Sequence, residues 1–173
     1  MATIFYCNNS GLPARLNAVR AGKGLLKEDK YKQIIIDALK FLVVENKISL
    51  NGFVIMENHL HFIWQAKGSL VLQEIQNSFI KHTAKQFKKL LIEDNKLDYY
   101  AVHKIDRKYN FWQRDSMNVE LFTPAVFYQK LSYIHYNPVR AGLCSLPDDY
   151  PYSSALFYEK GIDPFGIMEH YMG

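Results

Sequence analysis

SLNGFVIMENHLHFIWQ, Ser49 to Gln65, decides how this chain folds. Both halves are apolar, β-branched and aromatic, and Glu57-Asn58 separates them. The pattern predicts two antiparallel strands joined tightly at that dipeptide. Side chains alternate along a strand, so His59 and His61 project from one face and Leu60 from the other. Imidazole is the commonest metal ligand, and two on one face make half a site. Taken alone, so short a pattern is met as well by two half-buried histidines hydrogen-bonded in place.

Working outward, EDKYKQIIIDALKFLVVENK places Ile34, Ile35, Leu39 and Leu42 on one stripe of an amphipathic helix. Before it, ATIFYC fits a short strand, and LPARLNAVRAGKG has Gly and Pro punctuation without clean periodicity. After the strand pair, Leu72, Ile75, Phe79, Thr83, Phe87 and Leu90 mark a long helix from Ser69 to about Ile92. EDNKLDYYAVHKIDRKYN is polar and reads as a loop, and FWQRDSMNVELF returns to strand character. Thr123-Pro124 starts a third helix, with Thr as N-cap and Pro in the first turn. That helix should fray by Asn137, because the residue before Pro138 avoids α geometry. The order is strand, helix, strand, strand, helix, strand, then a helix and a tail of turns. It predicts an α+β fold, ferredoxin-like in outline, as one domain over residues 1–173.

Composition narrows the function classes. The chain has 173 residues, 49% of them hydrophobic, which suits a packed core and excludes a disordered chain. No apolar run reaches the roughly 18 residues of a membrane span, and MATIFYCNNSG lacks signal-peptide character. Cys7 and Cys144 form neither a disulfide framework nor a CxxC zinc motif, so a cytoplasmic protein with free thiols is expected. The net charge of +4 permits nucleic acid as a partner without requiring it. Lys81, Lys85, Lys88 and Lys89 lie at helical spacing, and Lys104, Arg107, Lys108 and Arg114 follow. By themselves these describe a solvated face.

A further pattern lies in YIHYNPVRAGL, Tyr133 to Leu143. On a helix Tyr133 and Asn137 share a face, so a phenol and an amide carbonyl approach one point. With a pKa near 10, tyrosine is a poor nucleophile unless a base or a metal-polarised phosphate stands beside it. A two-histidine metal site would supply the second.

NHLHFIW, then FWQRD, YIHYNPVRAGL and LPDDYPYSSA, form an ordered set that resembles the single-tyrosine HUH transposases, above all the REP-associated tyrosine transposases. The likeness runs from about Leu25 to the C-terminus. It implies a ferredoxin-like HUH domain with a C-terminal helix carrying the tyrosine. It implies that His59 and His61 bind Mg2+ or Mn2+, that Asn137 is a third ligand and that Tyr133 is the nucleophile. The implied reaction is cleavage of single-stranded DNA through a 5′-phosphotyrosine link, followed by strand transfer. The implied partner is single-stranded or hairpin DNA, met in the cytoplasm at the nucleoid by a monomer or homodimer, with no membrane involved. Lys81, Lys85, Lys88, Arg107, Lys108, Arg114 and Arg140 are candidates to hold phosphates. Trp112 or Tyr136 could stack unpaired bases. The bland alternatives are a core role for Phe111 and Trp112 and a helix-capping role for Arg140. Glu57 stands where relatives carry Pro, as a turn residue or a neighbour of the ion. No GxxxxGK[ST] motif is present, in keeping with a reaction that needs no ATP.

Two further functions compete: a nucleic-acid-binding module without catalysis on the same scaffold, and a metal-dependent hydrolase in which water attacks. His82, His103, His135 and His170 offer no second spaced metal motif, which ranks the hydrolase last.

Overall fold

The computed structural model describes residues 14–104, 107–112 and 117–172. The strand pair forms as expected. β2 (Ile48–Ile55) and β3 (His59–Ala66) are antiparallel, joined by Met56, Glu57 and Asn58. The turn is closed by Met56 N–H donating to His59 O at 2.8 Å. It is pinned from outside by Ala21 N–H to Asn58 O and Leu26 N–H to Glu57 O. Glu57 thus serves the turn through its backbone.

β1 (Ala14–Arg20) shows that ARLNAVR forms a strand; ATIFYC lies outside the described residues. β1 pairs with β3 on one side and with β6 (Met117–Leu121) on the other. The sheet order is β2-β3-β1-β6, all antiparallel. That is the ferredoxin-like arrangement, in which the first and third strands of the repeat are central.

Helices α1 (Asp29–Val44) and α2 (Leu72–Glu93) cover one face. Ile35, Leu39, Leu42, Phe79 and Phe87 pack there against Leu60, Phe62 and Trp64 of β3. α3 (Pro124–His135) covers the other face, where Phe127, Leu131 and Ile134 meet Val54 and Ile63. Thr123 caps α3, its side-chain oxygen accepting from Val126 N–H at 3.3 Å.

Gly52 sets how close α3 sits. The β2–β3 register shifts between Leu50 and Gly52, and a Cβ on Gly52 would lie 2.7 Å from Leu131 Cδ1. The missing side chain lets the helix descend onto the strand.

One expectation needs correction. EDNKLDYYAVHKIDRKYN is not a plain loop: it holds a 3-10 turn, Leu97–Tyr100, and a hairpin of β4 (Ala101–Lys104) and β5 (Arg107–Tyr109). Tyr109 stacks on Phe111, with ring centroids 6.1 Å apart, so aromatic packing overrides local polarity. The third helix does stop before Asn137, as expected, but the chain turns straight into a new helix. α3 ends at His135, and α4 (Asn137–Arg140) begins directly after Tyr136. Pro138 lacks the N–H that would continue α3, yet it is accommodated in the first turn of a new helix.

Candidate active site and nucleic-acid interface

β3 presents His59 and His61 towards α3, because Ile63, two residues on, belongs to the core on that side. The two imidazole centroids are 5.0 Å apart. His61 is 9% exposed, and burial, aided by the neighbouring His59, pushes its pKa down to about 4. It is therefore neutral at physiological pH, the form that ligates metal. Its Nδ1 is buried without a protein hydrogen-bond partner. His59 Nδ1 lies 2.6 Å from Asn58 Oδ1. A carbonyl oxygen only accepts, so Nδ1 carries the proton and Nε2 the lone pair.

α3 brings Tyr133 beside His61. The Tyr133 ring centroid is 6.1 Å from that of His61, with the rings nearly perpendicular, and Tyr133 is 51% exposed. On its other side the Arg140 guanidinium carbon sits 4.8 Å from the ring centroid. Arg140 also donates to Tyr133 O at 2.6 Å and to Asn137 Oδ1 at 2.5 Å. It thus caps the carbonyl left over where α3 stops. Asn137 Oδ1 is engaged by that guanidinium, and its Nδ2 is buried without a hydrogen-bond partner.

Two imidazoles, one with a buried Nδ1 that no protein group satisfies, suit the chemistry of a divalent ion whose other positions are filled by water or phosphate oxygens. Nitrogen donors favour Mn2+ and later first-row ions over Mg2+. Among the described residues no group of three His, Cys, Asp or Glu side chains gathers to hold a metal, so Glu57 does not complete a cluster with the two histidines.

The basic candidates divide. Lys81, Lys85, Lys88 and Lys89 are exposed on α2, which lies on the sheet face opposite His61. Lys88 Nζ is 5.5 Å from the Tyr109 ring centroid. Arg107 and Lys108 belong to β5, and Arg114 lies outside the described residues. Tyr136 is 49% exposed at the end of α3, open to stacking. Trp112 is a correction. It is 5% exposed, packs on Phe87, and donates from Nε1 to Thr83 Oγ1 at 2.9 Å. With both faces covered, it belongs to the core and cannot stack a base.

The sheet order and the helix cover define a ferredoxin-like α+β fold. Among solved structures, that of a REP-associated tyrosine transposase bound to a REP hairpin aligns with a TM-score of 0.61 and 17% identity, covering 100% of this chain and 97% of the other. A candidate transposase from Deinococcus radiodurans R1 aligns with a TM-score of 0.48 and 13% identity, over 75% of this chain and 94% of that one. No protein-family model and no curated protein sequence matches the chain. Among the described residues, no helix is long and apolar enough to cross a membrane.

Proposed function

We propose that the protein cuts and rejoins single-stranded DNA, with Tyr133 as nucleophile and hairpin DNA as substrate. The observation that carries this reading is the approach of the Tyr133 ring to His61, 6.1 Å between centroids, with His59 alongside. The Tyr133 oxygen attacks the scissile phosphorus, forming a phosphotyrosine bond. The bond to the 3′-oxygen breaks, and that oxygen leaves as a hydroxyl, taking up a proton as the phenol gives one up. A 3′-hydroxyl from a second strand reverses the step and joins new ends, and the phosphotyrosine conserves the bond energy.

His59 and His61 would hold a divalent ion, Mn2+ or Mg2+, which polarises the scissile phosphate and offsets its charge. Asn137 would join them as a third ligand through its amide oxygen, one lone pair of which already accepts from Arg140. Arg140 holds the nucleophile's ring and backbone, and its exposed position suits a phosphate contact. The α2 lysines, on the far face, suit DNA away from the cut.

A second reading, a DNA-binding module without catalysis, is favoured by one observation: no third His, Cys, Asp or Glu joins the two imidazoles among the described residues. A denaturing gel separates the two. Labelled single-stranded hairpin DNA from beside the protein's own gene is mixed with it and Mn2+ or Mg2+. A covalent protein–DNA band that vanishes with EDTA and in Tyr133→Phe supports the nucleophile. Binding with no band supports the module, and cleavage without a covalent band assigns the attack to water.

A further inference from the structure

Two segments singled out in the sequence, YIHYNPVRAGL and LPDDYPYSSA, meet inside the molecule. His135 Nε2 lies 2.8 Å from Ser154 Oγ, and the two residues are 5% and 2% exposed. Ser154 is in turn fixed to β2. Its hydroxyl oxygen accepts from Phe53 N–H at 2.9 Å, and its own N–H donates to Phe53 O at 3.0 Å. The surrounding segment runs along the same strand. Ile55 N–H donates to Tyr152 O at 2.9 Å, and Tyr150 Oη donates to Ile55 O at 2.8 Å.

We propose that His135 and Ser154 are positioning residues that set Tyr133 against the histidine pair. This rests on Tyr133 being the nucleophile. Tyr133 is two residues before His135 on α3, and Phe53 precedes Val54, which pairs with His61 across β2 and β3. The link from α3 through His135, Ser154 and β2 to His61 therefore closes a loop around the site. Leu131 and Ile134 also seat the end of α3 on the sheet, through apolar contacts, and apolar contacts tolerate sliding that hydrogen bonds do not. A misplacement of about 1 Å costs on the order of a hundredfold in rate.

The test uses Ser154→Ala, Ser154→Thr and His135→Gln, at a temperature well below every unfolding midpoint. Single-turnover formation of the covalent band at saturating hairpin DNA is compared with DNA and Mn2+ affinities. Ser154→Ala and His135→Gln should slow the step about tenfold or more with both affinities within about twofold of the parent, and Ser154→Thr, which keeps the hydroxyl, should recover most of the rate. A parental rate in Ser154→Ala overturns the proposal, as does a joint collapse of rate and affinities that Ser154→Thr does not rescue. Absence of the covalent band from the parent protein instead overturns the assignment of Tyr133.

Discussion

Arg140 lies over the ring of Tyr133 while bonding to that residue's own carbonyl oxygen. One guanidinium thus fixes both the ring and the backbone of the proposed nucleophile. Because the group is exposed, Arg140→Ala should cost less than about 1 kcal/mol of stability. The single-turnover cleavage rate should fall on the order of tenfold or more. Arg140→Lys should not restore it, since one ammonium cannot replace a planar fork serving a ring, a carbonyl and an amide oxygen. A stability curve and a cleavage time course on the same variants check both statements.

Stability should fall on mild acidification. Burial holds the pKa of His135 near 4, and burial together with His59 does the same for His61. The unfolded chain takes up these protons first, near pH 6.5, so stability is level above about pH 7 and declines down to about pH 4. Each residue contributes a loss of up to about 3 kcal/mol. Urea unfolding in EDTA at pH 7 and pH 5 should show the drop, and His135→Gln should make it shallower.

Gly52→Ala tests the seating of α3. Its Cβ would meet Leu131 Cδ1, the tip of a flexible side chain, so the helix can yield rather than unfold. A loss of about 1–2 kcal/mol is expected. A larger residue, as in Gly52→Val, should cost more and also slow cleavage. Chemical denaturation and single-turnover kinetics read the two effects separately.

Replacing Lys81, Lys85 and Lys88 together by Ala should weaken hairpin binding without slowing cleavage at saturating DNA, because α2 lies across the sheet from Tyr133. The slope of log affinity against log salt should shrink by about 2 if each lysine neutralises one phosphate of a single strand. An unchanged slope would place the DNA elsewhere.

The strand pair around Glu57 was legible because two dense β-branched and aromatic runs flank a polar break. The stripes of α1 and α2 were legible because long helices average out local exceptions; Leu91 rather than Leu90 is the buried residue at the end of α2. The β4–β5 hairpin was not, since its strands are short and mostly polar and its support comes from Tyr109 stacking on Phe111. Trp112 shows a general limit: an aromatic residue beside basic ones has the same sequence signature whether it stacks on a base or on Phe87. His135 carries no local pattern that tells its role, and its burial against Ser154 shows a structural one. Its partner is 19 residues away, beyond any local pattern.

The strap formed by Tyr150 to Ser154 reaches back about a hundred positions to β2. During synthesis, His59, His61 and Tyr133 all leave the ribosome before the residues that bind their scaffold together. At typical elongation rates of about 5–20 residues per second, the last part of that interval lasts a second or more. Throughout it the outer edge of β2 stands open, a template for pairing with other chains. Arrival of the strap covers Phe53 and Ile55 on that edge and ties α3 to it through His135, and Glu169 covers Leu50 later, so the hazard shrinks as the proposed nucleophile is set in place.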